Sequence, residues 1–353
     1  MKVVSVVGAR PQFIKAAVLS RELRKEHTEI LVHTGQHYDE NMSAIFFDEF
    51  GIPEPEYSLQ IGSGTHGAQT GAMLAAIEQV LIKEQPDWVL VYGDTNSTLA
   101  GALAAAKLHI KVAHVEAGLR SFNRQMPEEL NRIVVDHLSD LLFCPTQTAV
   151  ENLNSEGITR GVHLVGDLMY DALQWSLAQA SHRPDPLGPL GLSQKGYLLA
   201  TIHRAENSDN PERLGEILAA FNLLNTPLVW PVHPRTRKKL VELEYKPAAL
   251  VHLIEPVGPI EMAGLEKNAR LILTDSGGMQ KEALWLGVPC VTLRDETEWI
   301  ETIEAGWNIL VGAETQKIVH TVNTFTIPHA VFKAPDTQPG LEIVHLLDKV
   351  IVL

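Results

Sequence analysis

Two carboxylate side chains stand directly after apolar runs of the chain, where the interior of a sheet would not tolerate a charge. Asp94 follows VLVYG, and Glu116 follows VAHV. A carboxylate in this position can take a proton from a bound ligand or return one, which is general acid–base catalysis. Asp94 could instead cap the next helix, because aspartate is a preferred N-cap residue. We favour catalysis, because the two acids follow consecutive apolar runs.

Further ionisable side chains occur at comparable places. His203 follows the run LLATI, and Asp275 follows the run LILT, where it too could cap a helix. Glu128 and Glu129 open the helical segment PEELNR. Histidine and glutamate are frequent proton-transfer groups, so these positions are candidates for the same chemistry.

The segment TDSGGMQKEA has the composition of an anion-binding turn. Ser276, Gly277 and Gly278 lie between an apolar run and a helical stretch. Glycines let an anion approach the backbone, and the free N–H groups and the helix dipole attract it. Glu282 follows one or two turns later, where it could accept hydrogen bonds from ribose hydroxyls. A purely structural turn is the alternative.

Two basic segments are weaker candidates. In GARPQFIK, Arg10 and Lys15 flank a helix start, either as anion ligands or as a solvated basic face. In HPRT, His233 follows another apolar run and could add positive charge or cap a helix.

Two other kinds of site are not supported. GSGTHG at 62–67 matches a dinucleotide-binding fingerprint, but the preceding YSLQ is short and partly polar rather than a buried strand. Among 15 histidines there is no H-E-x-x-H, and His33 and His37 share a loop-like stretch without acidic partners at ligand spacing. We therefore expect no metal.

The elements that must position these residues alternate between strands and helices. Continuously apolar runs followed by helical stretches predict parallel sheets covered on both faces. Ligands then bind beyond the carboxyl ends of the strands. A polar segment at 180–196 separates two series of such runs. We predict an α/β protein with two Rossmann-like, doubly wound domains, at 1–166 and 167–339, with a final helix in 340–353 that could pack on the first.

Composition limits the possible partners and location. The 353 residues are 45% hydrophobic, and no window of 18 residues is apolar enough to span a membrane. The formal charge, 29 − 43 = −14, disfavours non-specific binding of nucleic acid. Cys144 and Cys290 lie far apart in apolar runs, which suggests reduced core thiols, and we therefore expect a cytoplasmic protein. The N-terminus MKVVSVVGARPQF lacks the long apolar segment of a signal peptide, and its valine run predicts a first strand.

Taken together, the motifs resemble a known family. GARPQFIK, TGQH, VYGDTNST, HVEAGLRS with MPEELNR, TIHRAEN and TDSGGMQKEA are similar to the motifs of the non-hydrolysing UDP-N-acetylglucosamine 2-epimerases, from residue 3 to about 312. The resemblance implies a glycosyltransferase-B type fold with its active site in the inter-domain cleft, a homodimer, and neither metal nor nicotinamide cofactor. It also implies reversible conversion of UDP-N-acetylglucosamine to UDP-N-acetylmannosamine for cell-surface polysaccharides.

The resemblance also assigns roles to residues. UDP leaves C1 while C2 loses its proton, and UDP adds back after C2 is protonated on its other face. The catalytic candidates are Asp94, Glu116, Glu128 and His203. The candidates for binding the UDP-sugar are Arg10, Lys15, His233, Ser276, Gly277, Gly278 and Glu282, with Arg132 pairing either with an acid or with a phosphate.

Two departures from the family pattern bear on regulation and substrate. Where many members carry MLDQ, associated with an allosteric UDP-sugar site, this chain reads GQHYDENMSAIFF. Where many carry an arginine after TE, the segment RDETEWIE has Trp299. Both features are closer to the branch acting on UDP-2,3-diacetamido-2,3-dideoxy-glucuronate. A glycosyltransferase of the same fold type is a more distant alternative, and a binding protein more distant still, because neither needs several acids around one sugar ring.

Overall fold

The computed structural model describes residues 1–36, 49–52, 54–184, 186–328 and 337–351, and the side chain of Arg10 lies outside this description. His37, and most of the segment GQHYDENMSAIFF in which the chain departs from the family pattern, also lie outside the described residues. The contacts divide the chain into two compact units, Met1–Ala172 with Pro335–Leu353, and Leu173–Ala334. No helix within the described residues is long and apolar enough to cross a membrane.

The first unit is built on a parallel sheet of seven described strands. The order across the sheet is β3-β2-β1-β4-β5-β6-β7. The β-branched residues of these strands favour the pleated conformation, and helices cover both faces. β4 is buried along its whole length, as expected of a central strand. The strands are β1 (Lys2–Val7), β2 (Thr28–His33), β3 (Tyr57–Ser58), β4 (Trp88–Tyr92), β5 (Lys111–Val115), β6 (Leu141–Cys144) and β7 (Val162–Leu164).

Helices connect these strands. α1 and α4 each begin with a proline in the first turn, where the missing N–H costs no hydrogen bond. The last helix, α14, packs against α1 of the same unit. The helices are α1 (Arg10–Leu23), α2 (His66–Glu84), α3 (Asn96–Lys107), α4 (Pro127–Leu138), α5 (Gln147–Ser155), α6 (Leu168–Ala180) and α14 (Pro339–Ile351). The boundary between the two units falls within α6.

The second unit repeats the arrangement with six described parallel strands, in the order β10-β9-β8-β11-β12-β13. Its strands are β8 (Leu198–Thr201), β9 (Leu228–Pro231), β10 (Val251–Ile254), β11 (Leu271–Thr274), β12 (Cys290–Thr292) and β13 (Asn308–Leu310). Its remaining helices are α7 (Ala205–Ser208), α8 (Pro211–Leu223), α9 (Pro234–Glu242), α10 (Pro259–Asn268), α11 (Gly277–Leu286), α12 (Ile300–Glu304) and α13 (Thr315–Thr324).

The strand order reverses once in each sheet, between β1 and β4 in the first unit and between β8 and β11 in the second. At such a reversal the helices diverge to opposite faces and leave a crevice at the carboxyl edge. Asp94 follows β4, whereas His203 and Asp275 follow β8 and β11. Two parallel-sheet α/β units of the predicted class are therefore confirmed.

Candidate active-site residues of the two units

In the first unit, Asp94 lies in the turn after β4 and forms an ion pair with Arg132 of α4. Its backbone carbonyl accepts a hydrogen bond from the Asn131 side chain at 2.8 Å. The N-cap of α3 is Thr95, so the alternative interpretation of Asp94 as a helix cap is wrong. The carboxylate is 30% exposed and is thus available to a ligand.

Glu116 directly follows Val115, the last residue of β5, and forms an ion pair with the buried Lys15 of α1. Its backbone has φ of +72°, a conformation that non-glycine residues rarely adopt. Such a conformation persists only where the surroundings hold it, and it is common at functional sites. Its amide donates to the carbonyl of Phe143, as does that of Ala117, which fixes the strand end.

Of the two glutamates that open α4, only Glu129 has a carboxylate with hydrogen-bond partners among the described residues. Glu129 is buried, and its carboxylate accepts hydrogen bonds from the Ser121 and Phe122 amides and from Arg132, each at 2.9 Å. Burial alone would raise the pKa of Glu129, but these bonds hold that pKa below its usual value. Glu128 is half-buried, and its carboxylate makes no hydrogen bond or ion pair within the described part of the chain.

A buried charge network lies beside these acids. His114 is completely buried between Asp136 and the carbonyl of Gly93. Asp136 also pairs with Arg120 at 2.7 Å, and Arg120 forms two hydrogen bonds to Glu156. Burial alone would raise the pKa of Asp136, but His114 and then Arg120 lower it. None of these four residues was singled out from the sequence, although HVEAGLR carries two of them.

In the second unit, Asp275 is completely buried and organises the turn after β8. Its carboxylate accepts hydrogen bonds from the backbone amides of His203 and Arg204 and lies 3.3 Å from His203 Nδ1. The N-cap of α11 is Ser276, whose hydroxyl accepts from the Met279 amide. The interpretation of Asp275 as a helix cap is therefore wrong. His203 itself is half exposed beside this buried anion.

The start of α11 receives side chains from the segment before α12. A Cβ on Gly277 would lie 2.5 Å from Glu298 Oε1 and 2.9 Å from Trp299 Nε1, so both side chains would have to shift. A Cβ on Gly278 would meet nothing nearer than Ser276 Oγ at 3.9 Å. The indole N–H of Trp299 is buried and has no hydrogen-bond partner among the described residues. The Lys281 ammonium lies 3.9 Å from the centre of the Trp299 ring.

Glu298 brings a carboxylate to the positive end of α11. Arg294 binds it at 2.8 Å, and Arg204 approaches it at 3.4 Å. Burial alone would raise the pKa of Glu298, but its own backbone amide and the two arginines lower it. A carboxylate of the chain itself therefore lies against the helix start, where the helix dipole favours an anion.

His233 and Glu282, the other two predicted binding residues of this unit, lie on or next to helices α9 and α11. His233 caps α9 by accepting a hydrogen bond from the Arg235 amide at 3.2 Å, so that nitrogen carries no proton. Its ring centre lies 6.4 Å from that of His203. Glu282 is half-buried on α11 near the buried Glu266. Burial and then the charge of Glu282 raise the pKa of Glu266 well above its usual value.

The structure corrects the interpretation of His33, which ends strand β2 and is not in a loop. Burial lowers the pKa of its imidazole. One described group could hold a metal ion by its spacing, formed by Glu26, His27 and Asp348. Glu26 and His27 precede β2, at the amino edge of the sheet and therefore away from the acids at its carboxyl edge.

Comparisons with known proteins give a consistent picture. A family model described as UDP-N-acetylglucosamine 2-epimerase matches residues 21–338. The chain is 57% identical over 330 residues to a UDP-N-acetylglucosamine 2-epimerase homolog of Methanococcus maripaludis, covering 92% of both chains. It is 53% identical over 333 residues to the UDP-2,3-diacetamido-2,3-dideoxy-D-glucuronate 2-epimerase of Pseudomonas aeruginosa, again covering 92% of both. The solved structure of Methanocaldococcus jannaschii UDP-GlcNAc 2-epimerase in complex with UDP-GlcNAc and UDP superposes with a TM-score of 0.85 at 47% identity, over 99% of this chain and 100% of that one.

Proposed function

The chain belongs to the UDP-N-acetylglucosamine 2-epimerase family and is an isomerase, and we propose that it interconverts UDP-N-acetylglucosamine and UDP-N-acetylmannosamine. The observation that carries this proposal is the pair of acids, Asp94 and Glu116, which end adjacent parallel strands and are each fixed by a cation. Inversion of a carbon needs a group that removes its proton and a group that returns one, and two fixed carboxylates can supply both.

The mechanism follows from the chemistry of C2. Its hydrogen has no adjacent carbonyl, so it is not removed as an enolisable proton. In the proposed route the C1–O bond to UDP breaks as C2 gives its proton to a protein base, leaving a 2-acetamidoglucal. The reverse addition, with a proton delivered to the opposite face of C2, re-forms the C1–O bond in the epimer. Atoms and charge balance without any further reactant.

Each group of residues has a task in this route. Asp94, Glu116 and the unpartnered Glu128 are assigned to proton transfer, with His203 beside Asp275 as a fourth candidate. Departing UDP is assigned to the start of α11, where Ser276, Gly277 and Gly278 present backbone donors. Lys15 and Arg132 each pair with one of the acids, so their first task is to orient the carboxylates. We assign Arg10 and His233 to the substrate phosphates and Glu282 to the ribose.

The test is to start from each pure epimer and follow the mixture by NMR. Both reactions should reach the same mixture of the two UDP-sugars. They should do so in buffer with EDTA, because helix dipoles and cationic side chains supply the positive charge that phosphates need. A net transfer of the sugar to an added acceptor, without epimerisation, would instead identify a glycosyltransferase. Loss of activity with EDTA, restored by magnesium, would show that a metal ion is required.

A second substrate, UDP-2,3-diacetamido-2,3-dideoxy-glucuronate, is favoured by two observations. One relative named for it is 53% identical, and Trp299 lies against the anion-binding start of α11. Tryptophan offers a ring face and one N–H, whereas an arginine there would offer paired hydrogen bonds. The kcat/KM values for the two UDP-sugars decide between them: a tenfold ratio corresponds to about 1.4 kcal/mol of transition-state binding. Trp299→Arg should change this ratio and Trp285→Phe should not.

We also assign a homodimer and a cytoplasmic location. Phe122, Met126, Leu130 and Val134 form an exposed apolar face at and before α4, which a second copy of the chain could cover. In light scattering, Leu130→Asp should shift the protein from dimer to monomer, and Val241→Asp on α9 should not. A monomeric wild type would refute the dimer. Both described cysteines are free and buried, as suits a reducing compartment.

A further inference from the structure

His114 is a completely buried residue for which the proposed reaction has no direct use. Its Nδ1 lies 2.7 Å from Asp136 Oδ1, and its Nε2 lies 2.7 Å from the carbonyl oxygen of Gly93. A peptide carbonyl can only accept a hydrogen bond, and an ionised carboxylate can only accept as well. Asp136 is paired with the Arg120 guanidinium at 2.7 Å and accepts from the Gly118 amide at 3.2 Å, so its carboxylate acts as an acceptor. Each ring nitrogen of His114 is therefore placed to donate a hydrogen bond.

A buried cation is tolerated only where its charge is compensated and its hydrogen bonds are complete. Asp136 lies against His114, and it also accepts from Arg120 at 2.7 Å and from the Gly118 amide at 3.2 Å. Arg120 is paired on its other side with Glu156 at 2.7 and 2.8 Å. The network thus places the Arg120 guanidinium between two carboxylates, and both nitrogens of the His114 ring have an acceptor.

The hydrogen bond to Gly93 connects this network to the acids. Gly93 has φ of +61° and forms the turn between β4 and Asp94. Its amide donates to the Val115 carbonyl at 2.9 Å, and its carbonyl accepts from His114, so both of its backbone groups are held by β5. A Cβ on Gly93 would lie 3.2 Å from Glu116 Oε2. The turn that carries Asp94 and the strand that ends in Glu116 are therefore joined through Gly93.

We propose that His114 is a positioning residue: the proton on its Nε2 holds the Gly93 carbonyl and thereby sets the position of Asp94 relative to Glu116. The importance of that position for turnover rests on the proposed function. If Nε2 lost its hydrogen, two lone pairs would face each other at 2.7 Å and the turn would move. The remaining hydrogen bonds of Asp136 would stay in place, because they involve Arg120 and Gly118.

Two variants separate this role from a general contribution to stability. His114→Phe keeps a ring but loses both hydrogen bonds. Asp136→Asn is the matched control: its amide can donate to Nδ1 while its oxygen accepts from Arg120 and Gly118. A neutral His114 with its hydrogen on Nε2 would still hold Gly93, and the Arg120–Glu156 pair would keep the charge balanced. We expect kcat to fall about a hundredfold in His114→Phe, the scale of a misplacement of about 1 Å. It should stay within about threefold of wild type in Asp136→Asn.

The decisive measurements are kcat and the protonation of the two ring nitrogens of His114. In protein labelled with nitrogen-15 in histidine, both His114 nitrogens should be protonated in the wild type and only Nε2 in Asp136→Asn. The Kd for UDP should match wild type in both variants. A bare ring nitrogen in wild-type His114, or a loss of kcat in Asp136→Asn as large as in His114→Phe, would overturn the proposal. If His114→Phe does not fold, the nitrogen signals and the kcat of Asp136→Asn still decide it. A wild type without epimerase activity would contradict the proposed function and leave the nitrogen result unaffected.

Discussion

Replacement of Glu129 by glutamine tests whether the two adjacent glutamates of α4 have different roles, with Glu129 stabilising the fold and Glu128 transferring a proton. The Glu129 carboxylate accepts from two backbone amides and one guanidinium: Oε2 accepts from the Ser121 amide and from Arg132, and Oε1 accepts from the Phe122 amide. Glutamine carries one oxygen and one NH2 group. In either orientation its NH2 group must face at least one of these three donors, so at least one of these hydrogen bonds is lost.

The magnitude follows from these contacts. A hydrogen bond to a charged group contributes about 1.5–3 kcal/mol, and the bonds that remain in the variant lose the charge of the acceptor. Glu129 is 1% exposed, so water cannot replace the lost partner. We therefore expect Glu129→Gln to lower the free energy of unfolding of the first unit by about 3 kcal/mol at neutral pH. Arg132 would lose the negative charge of this partner in either orientation, so activity should fall as well.

Denaturant unfolding at several pH values gives a second signature. In the folded protein, burial raises the pKa of Glu129, but its hydrogen bonds lower it by more. The pKa therefore lies below its usual value of about 4.3. The stabilisation is therefore fully present above about pH 4.3, the unfolded value, and is lost as the pH falls through the lower folded pKa. The difference between wild type and Glu129→Gln should be constant from neutral pH down to about pH 5 and should shrink below about pH 4.

Glu128→Gln is the matched control, because Glu128 has no partner among the described residues. It should change the free energy of unfolding by less than about 0.5 kcal/mol, as surface changes usually do, and should reduce kcat strongly if Glu128 transfers a proton. Equal losses of stability in the two variants would refute the reasoning. So would a Glu129→Gln protein as stable as wild type at neutral pH.

Three further outcomes are expected. Asp94→Asn and Glu116→Gln should each lower kcat about a hundredfold or more while the Kd for UDP, measured by calorimetry, stays near wild type. Glu298→Gln should tighten UDP binding about two- to fivefold, since it removes a carboxylate from the start of α11, and the Kd measures this. Glu266→Gln should become progressively more stable than wild type as the pH rises above about 4.3, the pKa of glutamate in the unfolded chain. The reason is that the raised pKa of Glu266 in the folded protein costs the wild type stability above that pH. Thermal unfolding at pH 5 and pH 8 checks the trend.

Much of the fold could be predicted because its strands are continuously apolar. Runs such as WVLVY and LILT are buried on both faces of parallel sheets, so their hydrophobic signal is unbroken. The helix α2 was not predicted. It begins at His66, inside GSGTHG, and contains exposed Gly67 and Gly71, so its start resembles a loop. The strands β3 and β13 are only two and three residues long, which is too short for a periodic pattern.

The location of the candidate residues could be predicted, but their partners could not. The rule that ligands bind at the carboxyl ends of strands places Asp94, His203 and Asp275 without knowledge of contacts. The Lys15–Glu116 pair, in contrast, joins residues 101 positions apart in sequence. Both helix-cap alternatives were wrong by one residue, because Thr95 and Ser276 cap instead. The catalytic and binding roles of the predicted residues stay predictions.

Exchange of the C2 hydrogen with solvent tests the central claim most directly. Incubation of UDP-N-acetylglucosamine with the protein in D2O should place deuterium at C2 of both epimers, because the proton removed by a carboxylate is replaced from solvent before UDP adds back. Glu116→Gln and Asp94→Asn should slow this exchange together with epimerisation. Epimers that form without deuterium at C2, or neither UDP-sugar showing exchange while sugar passes to an acceptor, would contradict the account.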